Sequence, residues 1–356
     1  MNSVLKTAPS PAQSNELVDG PQVRELGRLG TLLGSTTFWV AVVNVLVIAV
    51  FAVTSPNFLQ VSNVQNILFS GAQILLLTVG MTLLLAAGEF DISIGANVIV
   101  SSVVSAKVMV ALAGTPEQVL AGVYPNAGNA IAIGVVAAIL TGAVFGAVNG
   151  ILVTKFKISS FITTLGMLGM GTGIARVISN GTNVANIPPA IQEDFGIKTY
   201  LGIPASAILV AAIAAVLWFA LSKTRFGLRT LAIGSSREAA LRVGIKADRY
   251  VLGLFILVGA LAGLAGVIDI SRFATTNLGG HEGTALAAIA GAVIGGASLW
   301  GGRASIPGAV LGALLAVLLQ NGLVIVGLPV FYQQVAVGAV LIIAVYIDQR
   351  STRRTT

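Results

Sequence analysis

The run ILFSGAQILLLTVGMTLLLAA, residues 67–87, contains no charged side chain, and its only polar ones are Ser70, Gln73, Thr78 and Thr82. Such a run, coiled at about 1.5 Å per residue, matches a hydrocarbon core about 30 Å thick. The pattern repeats in both directions from it. Comparable apolar stretches occupy 38–53, 94–113, 130–153, 161–178, 205–221, 250–270, 285–300, 306–326 and 330–347. The shortest, 38–53, is completed by Thr36, Thr37, Thr54 and Ser55 at the headgroup level. Of the 356 residues, 56% are hydrophobic and only 9% charged, against about 25% charged in ordinary globular chains. The pattern predicts an all-α fold, a polytopic membrane helix bundle of about ten transmembrane helices.

The charges set the orientation. With a cytoplasmic amino terminus, sixteen of the 20 Lys and Arg residues fall on cytoplasmic segments. They are Lys6, Arg24, Arg28, Lys155, Lys157, seven bases between Lys223 and Arg249, Arg303, Arg350, Arg353 and Arg354. Lys107, Arg176, Lys198 and Arg272 remain for the other side. This positive-inside bias predicts an even number of spans and two cytoplasmic termini. Trp39, Trp218 and Trp300 fall at predicted cytoplasmic helix ends, where indole suits the interface. The net charge of +7 is dealt out loop by loop, so it does not form the single accessible face that a nucleic acid would need.

The expected organisation is a cytoplasmic tail over 1–36, a transmembrane domain over 37–348 with a long basic loop at 222–249, and a short cytoplasmic tail over 349–356. Mostly polar residues precede the first apolar run, so no cleavable signal is expected. Pro9, Pro11 and neighbouring Ser, Asn and Gln predict disorder up to Gly20. Val23, Leu26, Leu29 and Leu33 recur at helical spacing and suggest an interfacial helix.

Several function classes lack their residues. A charge at mid-span costs about 2.5–3.5 kcal/mol on insertion scales, so ion-coupled carriers keep such groups only for use. No relay of buried carboxylates or histidines is evident here. His281, the one histidine, is expected in a solvated outer loop. There is no cysteine, no Gly-x-Ser-x-Gly elbow, no His-Glu-x-x-His pair and therefore no metal set or nucleophile–base pair for an enzyme. Without a Gly-x4-Gly-Lys-Ser/Thr loop the chain does not cradle ATP by that route, and an active transporter would draw its energy from another polypeptide.

The basic loop is where such energy would enter. Ser235 or Ser236 can cap a helix that opens with Arg237, Glu238, Ala239 and Ala240 and continues through Leu241 and Arg242. Gly244 is its natural terminator. Such a helix either anchors the loop at the membrane surface or presses into a cleft on a cytoplasmic partner.

The stretch TRFGLRTLAIGSSREAALRVGI, residues 224–245, closely resembles the coupling loop of ribose-type ABC importer permeases. Three further runs agree: GEFDISIG at 88–95, similar to that family's Gly-Gly-Ile-Asp-Leu-Ser-Val-Gly signature; FITTLG at 161–166; and GGASLWGG at 295–302, followed by Gly308 and Gly312. Order and spacing hold from about Asn57 to Tyr346. Glu89 stands where the family usually has glycine, and Ser235-Ser236 where Gly-Asn is usual. The resemblance implies a permease subunit in the bacterial inner membrane, translocating a sugar or polyol. It implies a second copy of the chain, a cytoplasmic ATP-binding subunit carrying ATP and Mg, and a periplasmic or lipid-anchored solute-binding protein. No cofactor is implied in the chain itself. Nucleosides, branched-chain amino acids or a signalling molecule are alternative cargoes of the same architecture. The residues assigned to ATPase coupling are Ser236, Arg237, Glu238, Ala239, Ala240, Leu241, Arg242 and Gly244, with Arg237, Glu238 and Arg242 the foremost partner contacts.

Candidates for the pathway or its gate are Gln73, Glu89, Asp91, Ser93, Asn97, Phe161, Thr163 and Thr164. Each has a second reading. Glu89, Asp91 and Ser93 either stabilise the start of the next helix, with Ser93 as cap, or face the path. Gln73, Asn97, Asn149, Thr163 and Thr164 either line a route for a neutral polyol or hydrogen-bond between helices. Gly142, Gly146 and Gly150, Gly259 with Gly263, and Gly308 with Gly312 predict close helix packing. Asp269, Arg272 and Glu282 are expected in the outer loop, where they either meet a binding protein or stay solvated.

Overall fold

The computed structural model describes residues 35–329 other than 282, together with 332, 335, 338 and 339. The elements below all fall within the larger of the chain's two compact units, which begins at Thr36. The expected tails at 1–34 and 349–356, and most of the expected span at 330–347, lie outside the described residues.

Among the described residues, eight helices are long and apolar enough to cross a membrane. They are α1 Thr36–Thr54, α2 Val61–Ala86, α3 Ile94–Ala113, α5 Ala127–Thr154, α6 Ser160–Ser179, α7 Ala205–Lys223, α10 Ala247–Phe273 and α12 Ile306–Ile325. Shorter helices are α4 Pro116–Leu120, α8 Arg225–Ser235, α9 Arg237–Arg242 and α11 Thr284–Ile294. A π-helical turn at Gln192–Gly196 precedes a two-residue antiparallel pair, β1 Thr199–Tyr200 and β2 Ile203–Pro204. The fold class is all-α, as expected.

Two boundaries depart from the hydropathy reading. Helix α2 begins at Val61, six residues before the apolar run, because its polar first turns are bonded to protein. Asn63 donates to the Phe58 carbonyl at 2.8 Å and exchanges amide hydrogen bonds with Asn321 at 3.0 and 2.9 Å. The expected span 285–300 shrinks to the eleven residues of α11, about 16 Å long and so roughly half a bilayer core. Glycine explains the break. Gly296, Gly301 and Gly302 have φ of +94°, +88° and +77°, which turns the chain back so that the Gly302 N–H donates to Ala86 O at the end of α2, 3.1 Å away.

The centre of the bundle is built from α2, α3 and α10, whose apolar windows are mostly buried, with α1, α5, α6 and α7 around them. Leu76, Leu77, Met81, Leu83, Leu84, Leu254 and Phe255 are almost wholly enclosed. Helices α5 and α10 touch at the backbone. A Cβ on Gly142 would collide with the Gly259 carbonyl oxygen, one on Gly146 with the Phe255 carbonyl, and one on Gly263 with the Ala138 carbonyl. Gly308 and Gly312 bring α12 equally close to Gly295 and Gly291. Removing Cβ atoms lets helices in lipid gain dispersion contacts that no hydrophobic drive would supply.

Candidate functional site

One end of the bundle is made by α8, α9, the connection 87–93 between α2 and α3, and the glycine-rich turn 295–302. Three glycine segments distant in sequence meet there. The Gly234 backbone packs on Ala86 O and Gly302 N, and a Cβ on Gly88 would lie within 4 Å of Trp300 O and Gly234. Helix α8 was not foreseen within the basic loop, because Gly227 and Gly234 depress helix propensity over so short a stretch. Its signal was Thr224, whose Oγ1 accepts from Phe226 N at 3.2 Å, ahead of Leu228, Leu231 and Ile233.

Helix α9 follows at once. Ser236 Oγ accepts from Ala239 N at 3.3 Å, the cap expected from the sequence. Gly244, at φ +81°, ends the turn, with Ile245 N donating to Ala240 O. Ala240 is buried, while Glu238, Ala239, Leu241, Arg242 and Val243 are exposed. Leu241 and Val243 expose 53% and 75% of their surface, and Glu238 and Arg242 face each other at 4.0 Å on the same outer surface. Arg237 behaves differently from the outward contact expected. It turns inward, because two carboxylates wait for it: Nη1 lies 3.1 Å from Glu89 Oε1 and Nη2 lies 2.6 Å from Asp248 Oδ1. Lys157 Nζ reaches the other Asp248 oxygen at 2.7 Å. Two acids and two bases from four separate stretches thus form a linked chain of ion pairs.

Beside it opens a cavity of about 420 Å³ lined by Glu89, Phe90, Lys157, Ser160, Arg237 and Trp300, among others. The Phe161 ring stands edge-on to Phe90, with centroids 6.2 Å apart. Of the candidate pathway residues, Glu89 lines this opening and Phe161 stands at it.

The other candidates are buried or half-buried in the bundle. Gln73 Nε2 donates to Ala265 O at 3.3 Å, Asn97 Nδ2 donates to Gly142 O at 3.2 Å, and Asn97 Oδ1 accepts from Ser101 Oγ at 3.0 Å. Thr164 returns to Ser160 O at 2.7 Å within its own helix, while the buried Thr163 Oγ1 finds no partner. Ser93 makes no side-chain cap. Instead the Ser93 N–H and hydroxyl both donate to Asp91, and Asn149 Nδ2 bonds Ser93 Oγ at 2.9 Å and Asp91 Oδ2 at 3.3 Å. Asp91 is almost wholly enclosed. Burial pushes its carboxyl up to about 6, against the opposite pull of the hydrogen bonds from Ser93 and Asn149.

His281 is 5% exposed rather than solvated. The connection 274–283 folds back on the bundle, placing its Nε2 3.2 Å from Asp269 Oδ2 and its carbonyl where a Cβ on Gly95 would sit. Asp269 is equally buried, inside α10 rather than in an outer loop. Arg272 is half-buried, bonded to Ser70 Oγ at 2.8 Å and lying over the Phe69 and Phe273 rings. Glu282 lies outside the described residues.

The family model described as the permease component of a branched-chain amino acid transport system matches residues 63–345. The chain belongs to this permease family. Among curated proteins it is 35% identical to the ribose import permease protein RbsC of Bacillus subtilis, over 86% of this chain and 91% of that one. It is 33% identical to the L-arabinose ABC transporter permease protein AraH of Azospirillum brasilense, over 88% of each. The autoinducer 2 import system permease protein LsrC of Photorhabdus luminescens is 31% identical over 80% of this chain and 81% of its own. No solved structure matches. Permease components of this family are membrane subunits rather than enzymes, and an ATPase and a solute-binding protein are the partners that membership implies. This permease is a multi-pass protein of the inner membrane.

Proposed function

We propose that this permease carries a sugar or polyol into the cell, driven by ATP and Mg bound to a separate cytoplasmic subunit. The observation that carries the reading is the one-third identity, held over more than four-fifths of both chains, to permeases named for ribose and arabinose. Helix α9 supports the mechanism, since its outward Glu238, Leu241, Arg242 and Val243 form a compact knob suited to a cleft on the ATPase. Closure of that partner around ATP pushes α9, the push tilts the spans around the cavity at Glu89, and access alternates without any bond in the solute changing. A second copy of the chain completes the path. Helix α6 supports that pairing, for a Cβ on Gly166, Gly169 or Gly173 would meet open space beside the exposed Phe161, Leu165 and Met170. Outward side chains such as Val45, Leu46, Val136 and Val144 then face lipid.

The family description names branched-chain amino acids and one relative is named for autoinducer 2, so these cargoes form the second reading. In proteoliposomes holding the permease, its ATPase and its binding protein, sugar uptake should require ATP. Uptake driven by a proton gradient alone would overturn the proposal, and a binding protein selective for leucine or autoinducer 2 would transfer it to the second reading.

A further inference from the structure

We infer that Glu89 and Arg237 form a tie through which α9 moves the connection 87–93, so that Arg237 positions the pathway rather than greeting the ATPase. The inference rests on the coupling role proposed above for α9.

Glu89 is 8% exposed. A carboxylate withdrawn that far from water needs a cation, and Arg237 is the one bonded to it, at 3.1 Å. Arg237 spends its second nitrogen on Asp248, which Lys157 also holds. The first residue of α9 is thus bound to the 87–93 connection and to the first turn of α10. Two residues before α9's cap, Gly234 lies in backbone contact with Ala86 and Gly302, so the root of α9 has little freedom to slide relative to the end of α2. Across the 87–93 connection, the Asp91–Ser93–Asn149 cluster locks the next residues to α5, and Gly95 abuts the His281 backbone. A displacement of α9 therefore enters the bundle at Glu89 and has a packed route to the start of α3. An exposed ion pair would add about 0–1 kcal/mol and transmit little. Here the carboxylate is enclosed, so removing Arg237 leaves Glu89 uncompensated, and removing Glu89 leaves Arg237 held by Asp248 alone.

The chain has no cysteine, which makes the test direct. In the complete importer, Glu89→Ala should lower solute taken up per ATP hydrolysed by about tenfold, the scale of a typical coupling free energy. Joining Glu89→Cys and Arg237→Cys with a short bis-thiosulfonate linker should restore the ratio, although the carboxylate that lines the cavity is still missing. Hydrogen exchange in the purified full chain reads the tie whatever the cargo: amides 239–245 should exchange faster in Glu89→Ala and recover in the linked pair. Unchanged exchange in Glu89→Ala, an unchanged uptake ratio, or a linked pair that arrests transport would each overturn the tie. Failure of the unaltered importer to move any sugar would instead strike the proposed cargo, leaving the exchange result to judge the tie.

Discussion

Asp91 and Glu89 sit two residues apart, and their fates separate on burial and partners. Glu89 reaches a cation; Asp91 is enclosed among neutral donors, and burial raises its carboxyl to about 6. The consequence for stability has a definite sign. A carboxyl raised in the folded state binds more protons folded than unfolded, so its contribution is full in acid and falls as pH rises through about 6. Between roughly pH 4 and 7 the wild type should lose about 3 kcal/mol through this group. Asp91→Asn does not titrate and should lose none of it. Flipping the Asn149 amide, whose Oδ1 has no partner, would accept the new N–H. Asp91→Ala strands Ser93 and Asn149 and should cost about 1–3 kcal/mol at pH 4, a cost that shrinks as pH rises because the variant does not titrate. Thermal unfolding in detergent across that range checks all three. From the sequence these acids formed one undivided group, because the partner that distinguishes Glu89, Arg237, lies 148 residues away.

At the scale of elements, hydropathy located the spans well and misjudged α11, for a reason that is physical. The run 285–300 stays apolar to its end, but apolarity carries no information about backbone direction, and Gly295 and Gly296 end the helix inside the run. Glycine spacing spoke more reliably about packing: the pairs at 142 and 146, 259 and 263, and 308 and 312 all stand at backbone contacts. The contrast within the chain makes this testable. Gly142→Val places methyl groups against the Gly259 carbonyl and should destabilise the bundle by about 1–3 kcal/mol or more. Gly173→Ala, on the uncovered side of α6, should leave the isolated chain's unfolding temperature unchanged or slightly raised, since alanine favours helix. Equal effects of the two substitutions would mean that α5 and α10 do not meet as described. Helix α9 was legible to its cap and its terminator, because Ser236 and Gly244 act locally; the inward turn of Arg237 was not, because it answers to distant acids.

For the whole molecule, packing fixes which ends of the helices share a side, and only the distribution of charge says which side faces the cytoplasm. Lys157, Arg237, Lys246 and Arg249 cluster with α8 and α9 at one end, and the short helix α4 caps the other. Parity of the spans places 222–249 and 114–126 on opposite faces of the membrane, and the former carries seven bases where the latter carries none. Moving that many bases outward would oppose both the membrane potential and the anionic inner leaflet. The absence of native cysteine lets single reporters decide. Val243→Cys and Leu120→Cys alter side chains that are 75% and 78% exposed, so neither should disturb the fold. A membrane-impermeant maleimide should label Leu120→Cys in intact cells and Val243→Cys only after the inner membrane is opened. Labelling of Val243→Cys from outside would invert the molecule and leave α9 with no ATPase to meet. Labelling of both from one side would break the span parity itself, because three spans, α5, α6 and α7, separate the two positions.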